Sequence, residues 1–411
     1  MEREAVLVAI DVGTSKVVTL IGEVTRDGAL NIIGKGTPPS AGLKKGVVIN
    51  IDQTVASIAS AVEHAERLSG YKLDSAFVSV GGSHVESQNS RGAVAVSGPR
   101  KEVTREDVAR ATEVARAVTI PSNREVLHVL PRGYLVDGQE GVKDPLGMSA
   151  IRLEVETHIV HASATAVQNL SKCVRQAGVQ IDELVAASLA ASEAVLSDTE
   201  KDLGVGVVDI GAGTTDLALF VDGSPLRTAV LPLGGNNVTN DLAIGLKTSL
   251  AAAEELKIRH GSCDPDSVGA DEQVEVESID EPGGRTVARQ EAARIMEARM
   301  RELFELIGSE IAKADKGTSL PAGLVITGGG AQLDGAARLG REVLQMPVRV
   351  AGPAGVGGLV DNLMTPAFST SIGLLLWGAR AVTQTEIGRF ASAPVHGTLG
   401  RARDWVRNLF P

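Results

Sequence analysis

The sequence predicts an α/β fold of two similar halves facing one another across a cleft, with a small α+β segment inserted. Three observations predict it. An apolar strand that ends in Asp and runs into a Gly/Thr/Ser turn occurs twice, at 8–16 and at 207–216, about half the chain apart. Val- and Ile-rich strands alternate with helix-spaced apolar residues on either side of these turns. The stretch from 84 to 162 carries a strand, helix and strand pattern of its own.

The elements follow in order. Residues 5–11, 16–23 and 29–35 read as strands separated by Gly and polar turns. Residues 52–68 read as a helix, with Asp52 as N-cap and Gly70 just beyond its end. Within 84–162, residues 92–97 are strand-like. Thr104 and Asp107 then form a capping-box pattern that opens a helix to Val118, and strands follow at 125–136 and 151–161. A helix from Ser163 to Ala177 ends at Gly178, and strands at 204–210 and 217–222 flank the second turn. Helices at 236–247 and 251–260, an acidic strand-like patch at 271–281 and a long helix at 286–312 come next. A strand at 323–327 runs into three glycines, and an apolar helix covers 366–382. Residues 383–398, with Pro394 and Gly397, read as a linker.

Composition excludes several classes. Of 411 residues, 40 are Lys or Arg and 51 Asp or Glu, a balance of −11 that argues against a nucleic-acid binder. Two distant cysteines, Cys173 and Cys263, make neither a disulfide framework nor a metal site, which favours a reducing compartment. No run of 18 apolar residues exists, so no membrane span is expected, and the N-terminus passes directly into a strand, so no signal peptide is expected. Aromatics make up only 2%, so the core must be built from Val, Leu, Ile and Ala.

The paired turns carry the chemistry. Gly13, Gly211 and Gly213 let backbone N–H groups approach phosphate oxygens with no Cβ in the way. Thr14, Ser15, Thr214 and Thr215 add hydroxyl donors, and Lys16 adds a point charge. Asp11 and Asp209, at strand ends, suit Mg²⁺ held through its waters. Gly328, Gly329 and Gly330, between a strand and a helix, suit phosphate or adenosine, as do Gly234, Gly235 and Asn236. Glu254, Glu255 and Lys257 share a helix. They could bind ribose and adenine or form a solvated face, and spacing alone leaves both readings open. A P-loop is excluded because no GxxxxGK[ST] occurs, and no strand–GxGxxG–helix unit supports a dinucleotide fold.

The set AIDVGTSKV, VVDIGAGTTD and VITGGGA, in that order, resembles the two phosphate motifs and the adenosine motif of the actin, Hsp70 and sugar-kinase superfamily. More narrowly, GGSHVESQNSRGAVAVS, PLGGNNVTNDLA, AEELKIRHG and the C-terminal tail resemble the FtsA family of bacterial cell-division proteins, over essentially the whole chain. The resemblance implies an actin-like fold with ribonuclease-H-like duplicated halves, in which 84–162 is a differently placed subdomain. It divides the chain into 1–83 with 360–382, the insertion 84–162, 163–235 with 313–359, and a subdomain at 236–312 on the adenosine side that also binds a partner. It also implies ATP and Mg²⁺ as cofactors, head-to-tail filaments, and binding of the C-terminal peptide of the tubulin-like protein FtsZ. Tethering to the cytoplasmic face of the inner membrane at the septum, and recruitment of later division proteins, complete the implied role. Members of the superfamily often place a water-orienting Gln or Glu on the helix before the second phosphate turn. Glu193 is the carboxylate available there, and any ATPase activity is expected to be slow. Arg289, Arg294 and Arg299 on the long helix are the expected contacts for a peptide.

The tail reads as a membrane anchor. Apolar Leu399, Ala402, Trp405, Val406, Leu409 and Phe410 share one helical face, flanked by Arg401, Arg403 and Arg407. A basic amphipathic helix behind a linker suits an anionic lipid surface, while a helix docked on the body is the plainer reading. Two functional alternatives stand beside the division role. A pilus-assembly ATPase would share the fold but normally lacks such a tail. A metabolic kinase would need a general base and a small-molecule pocket that the sequence does not identify.

Overall fold

The computed structural model describes residues 5–390, except 26–27, 99, 119, 278–283 and 315–317, with side chains described to 381. Strands Ala5–Val12, Val17–Val24 and Leu30–Gly36 form an antiparallel meander. Ser75–Val80 adds in parallel beside the first of them, and Gln180–Ala186 beside that. The second half repeats this order. Val205–Ile210, Thr215–Val221 and Ser224–Leu231 form the meander, with Leu324–Thr327 parallel to its first strand and Val348–Val350 next. Ser75–Val80, Gln180–Ala186 and Ser224–Leu231 are strands beyond those the sequence pattern predicts.

Two helices lie between the sheets. Ala187–Val195 packs along Ser369–Phe390, and together they reach strands of both halves. Their approach is close because residue 373 is glycine. A Cβ there would stand 1.8 Å from the carbonyl oxygen of Ala190. Ile372, Leu374 and Leu375 are fully buried around that crossing, each contributing about 1.5–3 kcal/mol of burial. The last helix runs to Phe390, so residues 383–390 continue it where a linker was expected.

The first long helix spans Ile51–Ser69. Its N-cap is Asn50 rather than Asp52, and the Asn50 side chain accepts from the Gln53 N–H at 3.1 Å. Asp52 sits in the first turn, where it favours the positive helix end. Gly70 closes the helix at φ 72°.

The segment between Ser75–Val80 and the helix Ala164–Gln176 forms its own sheet, from Glu86–Ala95, Arg152–Ser163, Arg124–Val136 and Gln139–Val142 in that spatial order. Its helix, Arg105–Arg116, opens with the expected capping box between Thr104 and Asp107. A second excursion, between Ser224–Leu231 and Leu324–Thr327, holds Gly235–Gly245, Leu250–His260, the hairpin Gln273–Val276 with Arg285–Ala288, and Arg289–Ala312.

Candidate functional site: the cleft between the halves

Both phosphate-turn candidates are built alike. Asp11 is the penultimate residue of the first strand, opposite Val18, and Asp209 is the penultimate residue of its counterpart, opposite Asp216. The Gly13 N–H donates to the Lys16 carbonyl at 3.1 Å, and the Gly211 N–H donates to the Thr214 carbonyl at 2.9 Å. The turns meet face to face. A Cβ on Gly213 would stand 2.8 Å from the Thr14 hydroxyl and 3.2 Å from the Lys45 Cα.

Three aspartates line the cleft. The Ser79 hydroxyl donates to Asp11 at 2.6 Å, the Thr370 hydroxyl donates to Asp209, and the Thr214 hydroxyl donates to Asp216 at 3.1 Å. Burial raises the pKa of Asp11, against the Ser79 bond and the Lys16 charge. Burial also pushes Asp209 up to about 6, with the neighbouring Asp11 charge adding. Asp216 is pushed to about 8, by burial first and then by the Asp209 charge. Lys16 lies 3.5 Å above the centre of the Phe368 ring. Its burial lowers its pKa, while Asp11 and Asp209 oppose that. The cleft therefore holds three closely spaced buried carboxyls whose ionised forms a cation would stabilise.

The cavity encloses about 470 Å³. Asp11, Gly13, Thr14, Ser15, Lys16, Asp209, Gly211, Gly213 and Thr214 line one part of it. Gly235, Glu254, Lys257, Gly328, Gly329 and Gly330 line another, with apolar Ile258, Met300 and Leu333. The Lys257 ammonium donates to Glu254 at 2.7 Å, to the Thr239 hydroxyl at 2.8 Å and to the Gly235 carbonyl at 3.1 Å. Glu254 and Lys257 thus face the cleft, while Glu255 is exposed outside it and pairs with Arg259 at 2.9 Å. Gly328 is at φ 84°, and a Cβ there would stand 2.2 Å from an Asp209 carboxylate oxygen. Gly329 has open space where its Cβ would be. The glycines leave a backbone-walled cradle suited to a polyphosphate, and the apolar end suits a planar base. The carboxylates suit a hydrated Mg²⁺ held through water. Among the described residues no group of three or more His, Cys, Asp or Glu is placed to hold a metal ion by itself.

Several expected residues stand elsewhere. The Thr215 hydroxyl donates to the Leu233 carbonyl at 2.9 Å, because strand alternation turns it away from the cleft. Gly234 is buried behind the wall, with its N–H held by Asn237 at 3.1 Å, and Asn236 is exposed outside it. Glu193 is absent from the lining. It pairs with Lys201 and Arg380, so Ala187 is the residue of its helix that reaches the cavity. Asp216 and Ser79, overlooked in the sequence, do reach it. Antiparallel pairing across the hairpin, which sets Asp216 directly opposite Asp209 and so on the same face, is the signal that points to Asp216. The three arginines are engaged within the chain. Arg289 holds Glu272 and the His260 carbonyl, Arg294 holds Gln290, and Arg299 holds Asp241 through two nitrogens as well as Glu302. The amphipathic tail 399–410 lies outside the described residues.

Residues 206–373 match the family model described as cell division protein FtsA, and residues 82–161 match the one described as the SHS2 domain inserted in FTSA. The cell division protein FtsA of Pseudomonas aeruginosa is 43% identical over 410 residues, covering 98% of each chain. The chain belongs to the FtsA family. It is an actin-like cell-division protein, and FtsA membership replaces the pilus-assembly and kinase alternatives. Two solved structures share the FtsA-family fold at low identity. A PilM–PilN type IV pilus biogenesis complex aligns with TM-score 0.64 and 19% identity, over 92% of this chain and 99% of that one. MreB5 of Spiroplasma citri bound to ADP aligns with TM-score 0.57 and 12% identity, over 93% and 98%. No helix among the described residues of this FtsA-family chain is long and apolar enough to cross a membrane.

Proposed function

We propose that this FtsA-family chain binds Mg-ATP between its halves. On that basis it would form head-to-tail filaments on the cytoplasmic face of the membrane at the division septum, tether FtsZ there and recruit later division proteins. The observation that carries nucleotide binding is the meeting of two matched glycine turns, with Gly213 against Thr14, around a cavity rich in carboxylates. Gly13, Thr14, Ser15 and Lys16 would hold the phosphates from one side, and Gly211, Gly213 and Thr214 from the other. Asp11 and Asp209 would orient the waters of the metal. Glu254 and Lys257 would bind the ribose, and Gly328, Gly329 and Gly330 would let the base lie against Ile258, Met300 and Leu333. When bound, Mg²⁺ supplies charge neutralisation between phosphate oxygens and carboxylates. With Glu193 committed to Lys201 and Arg380, a slow ATPase at most is expected.

The FtsZ peptide would dock on 236–312. Arg294, bonded only to Gln290 among the described residues, tests that surface better than Arg299, whose reversal would also break the Asp241 pair. The tail 399–410 would lie in the membrane interface. Burial of its apolar side chains, about 1.5–3 kcal/mol each, is largely offset by ordering cost of about 1–2 kcal/mol per residue. One copy would therefore bind reversibly, and a filament would gain avidity. Trp405→Glu should release the protein from anionic vesicles while leaving nucleotide binding intact.

Thermal melting tests the nucleotide reading. Mg-ATP should raise the melting temperature in a concentration-dependent way. A shift with Mg-GTP and none with Mg-ATP would contradict it.

A further inference from the structure

The short hairpin Leu43–Lys44 with Val47–Val48 is held at both ends. At its base, the N–H groups of Ile49 and Asn50 donate to the Gly42 carbonyl at 2.8 and 3.1 Å. At its tip, the Gly46 N–H donates to the Thr14 hydroxyl at 3.4 Å. Gly46 also presses on Gly82, so closely that a Cβ on it would stand 2.6 Å from the Gly82 Cα. Between them is Lys45, a non-glycine residue at φ 50° whose Cα faces the Gly213 turn. Such a backbone costs about 1–3 kcal/mol and persists where its surroundings enforce it. Its side chain is exposed and has no partner among the described residues.

The cleft has an unmet charge requirement. Asp11, Asp209 and Glu254 line it, beside an Asp216 that holds its proton at neutral pH, against Lys16 and Lys257. Lys257 is tied to Glu254, and Lys16 lies on the Phe368 ring between the charges of Asp11 and Asp209. A polyphosphate reaching the junction of the two turns would meet Lys45 at their rim, a cation with no partner among the described residues, on a backbone already pinned against both turns.

We propose that Lys45 is the residue that recognises the terminal phosphate of the nucleotide and so distinguishes a triphosphate from a diphosphate. This rests on the Mg-ATP reading of the cleft. Lys45 does not line the empty cavity; on binding, its exposed side chain would swing from the pinned tip toward the Gly213 turn, and its ammonium, a point charge with three donors, would close on the outermost phosphate oxygens. The shorter diphosphate leaves it in solvent. Because the tip is fixed before binding, only side-chain entropy is lost on closure.

The test is calorimetric titration of Mg-ATP and Mg-ADP into the full chain and its Lys45→Gly, Lys45→Arg and Lys44→Ala variants. Glycine accepts the positive φ, so Lys45→Gly removes the charge without adding backbone strain. Its Mg-ATP affinity should fall about tenfold, equivalent to about 1.4 kcal/mol, with Mg-ADP affinity unchanged. Lys45→Arg should keep the preference for Mg-ATP, and Lys44→Ala should match the parent. Equal losses for both nucleotides in Lys45→Gly, or no loss for either, would overturn the assignment while leaving the Mg-ATP reading in place. A parent chain that binds neither nucleotide would overturn that reading and this assignment together.

Discussion

The two turns share one backbone and differ in charge. Both close with a glycine N–H on the carbonyl three residues later, and both end on a strand whose last carboxylate faces the cleft. In matched register, Lys16 corresponds to Thr214, Ser15 to Gly213 and Val18 to Asp216. The first turn thus brings the cation and a hydroxyl. The second brings a bare glycine and an additional carboxylate. The repeated sheet fixes where the turns stand; on the proposed Mg-ATP reading, side-chain divergence would give the first turn the phosphate charge and the second the close contact, with Asp11 and Asp209 sharing the metal's waters. Gly213 cannot be a serine like Ser15, because its Cβ position is already shared with Thr14.

The largest effect that would break this division is at Gly213. Gly213→Val places side-chain atoms against Thr14 and Lys45, forcing the turns apart, and should reduce Mg-ATP affinity about 100-fold, equivalent to about 2.7 kcal/mol. Equilibrium titration measures this, and a melting curve without nucleotide separates it from misfolding. Making the first turn resemble the second, by Lys16→Thr, should cost about tenfold, as expected for loss of one charge-assisted contact of about 1.5–3 kcal/mol partly replaced by a hydroxyl.

The smallest effect concerns Asp216 and pH. Its folded carboxyl keeps its proton up to about pH 8, whereas in the unfolded chain it ionises near the ordinary 3.8. Between those values the folded state binds the extra proton, so this group's contribution to stability falls as pH rises, and its full cost is present above pH 8. Asp216→Asn should remove that slope. Relative to the parent, its nucleotide-free stability should gain about 1–2 kcal/mol between pH 5 and pH 7, less than the full shift because neighbouring carboxylates readjust. Parallel denaturation curves for parent and variant at the two pH values would remove Asp216 as the source.

Local chemistry made much of this legible. The DxGT turns, the capping box at Thr104 and the αL glycine at Gly70 are short-range signals, and each stands where its residues indicated. What escaped depended on the third dimension. Asp52 looked like a cap, but the extended backbone at Asn50 and its side-chain bond to Gln53 decide the helix start. Glu193 occupied the expected helix, yet packing against Lys201 and Arg380 directs it away from the cleft. Thr215 and Asp216 are adjacent in sequence, and strand alternation alone sends the second one inward. The arginines of the long helix look free in a linear reading, but Asp241 and Glu272 come to them from other elements.

The most direct measurement of the clamp is a calorimetric titration of Mg-ATP into the parent chain and into Gly13→Val and Gly213→Val. The account predicts one Mg-ATP per parent chain and loss of that binding when either turn is altered, because a single ligand spans both. Two sites per chain, or parent-like binding in either variant, would show that the turns act separately and would contradict the account.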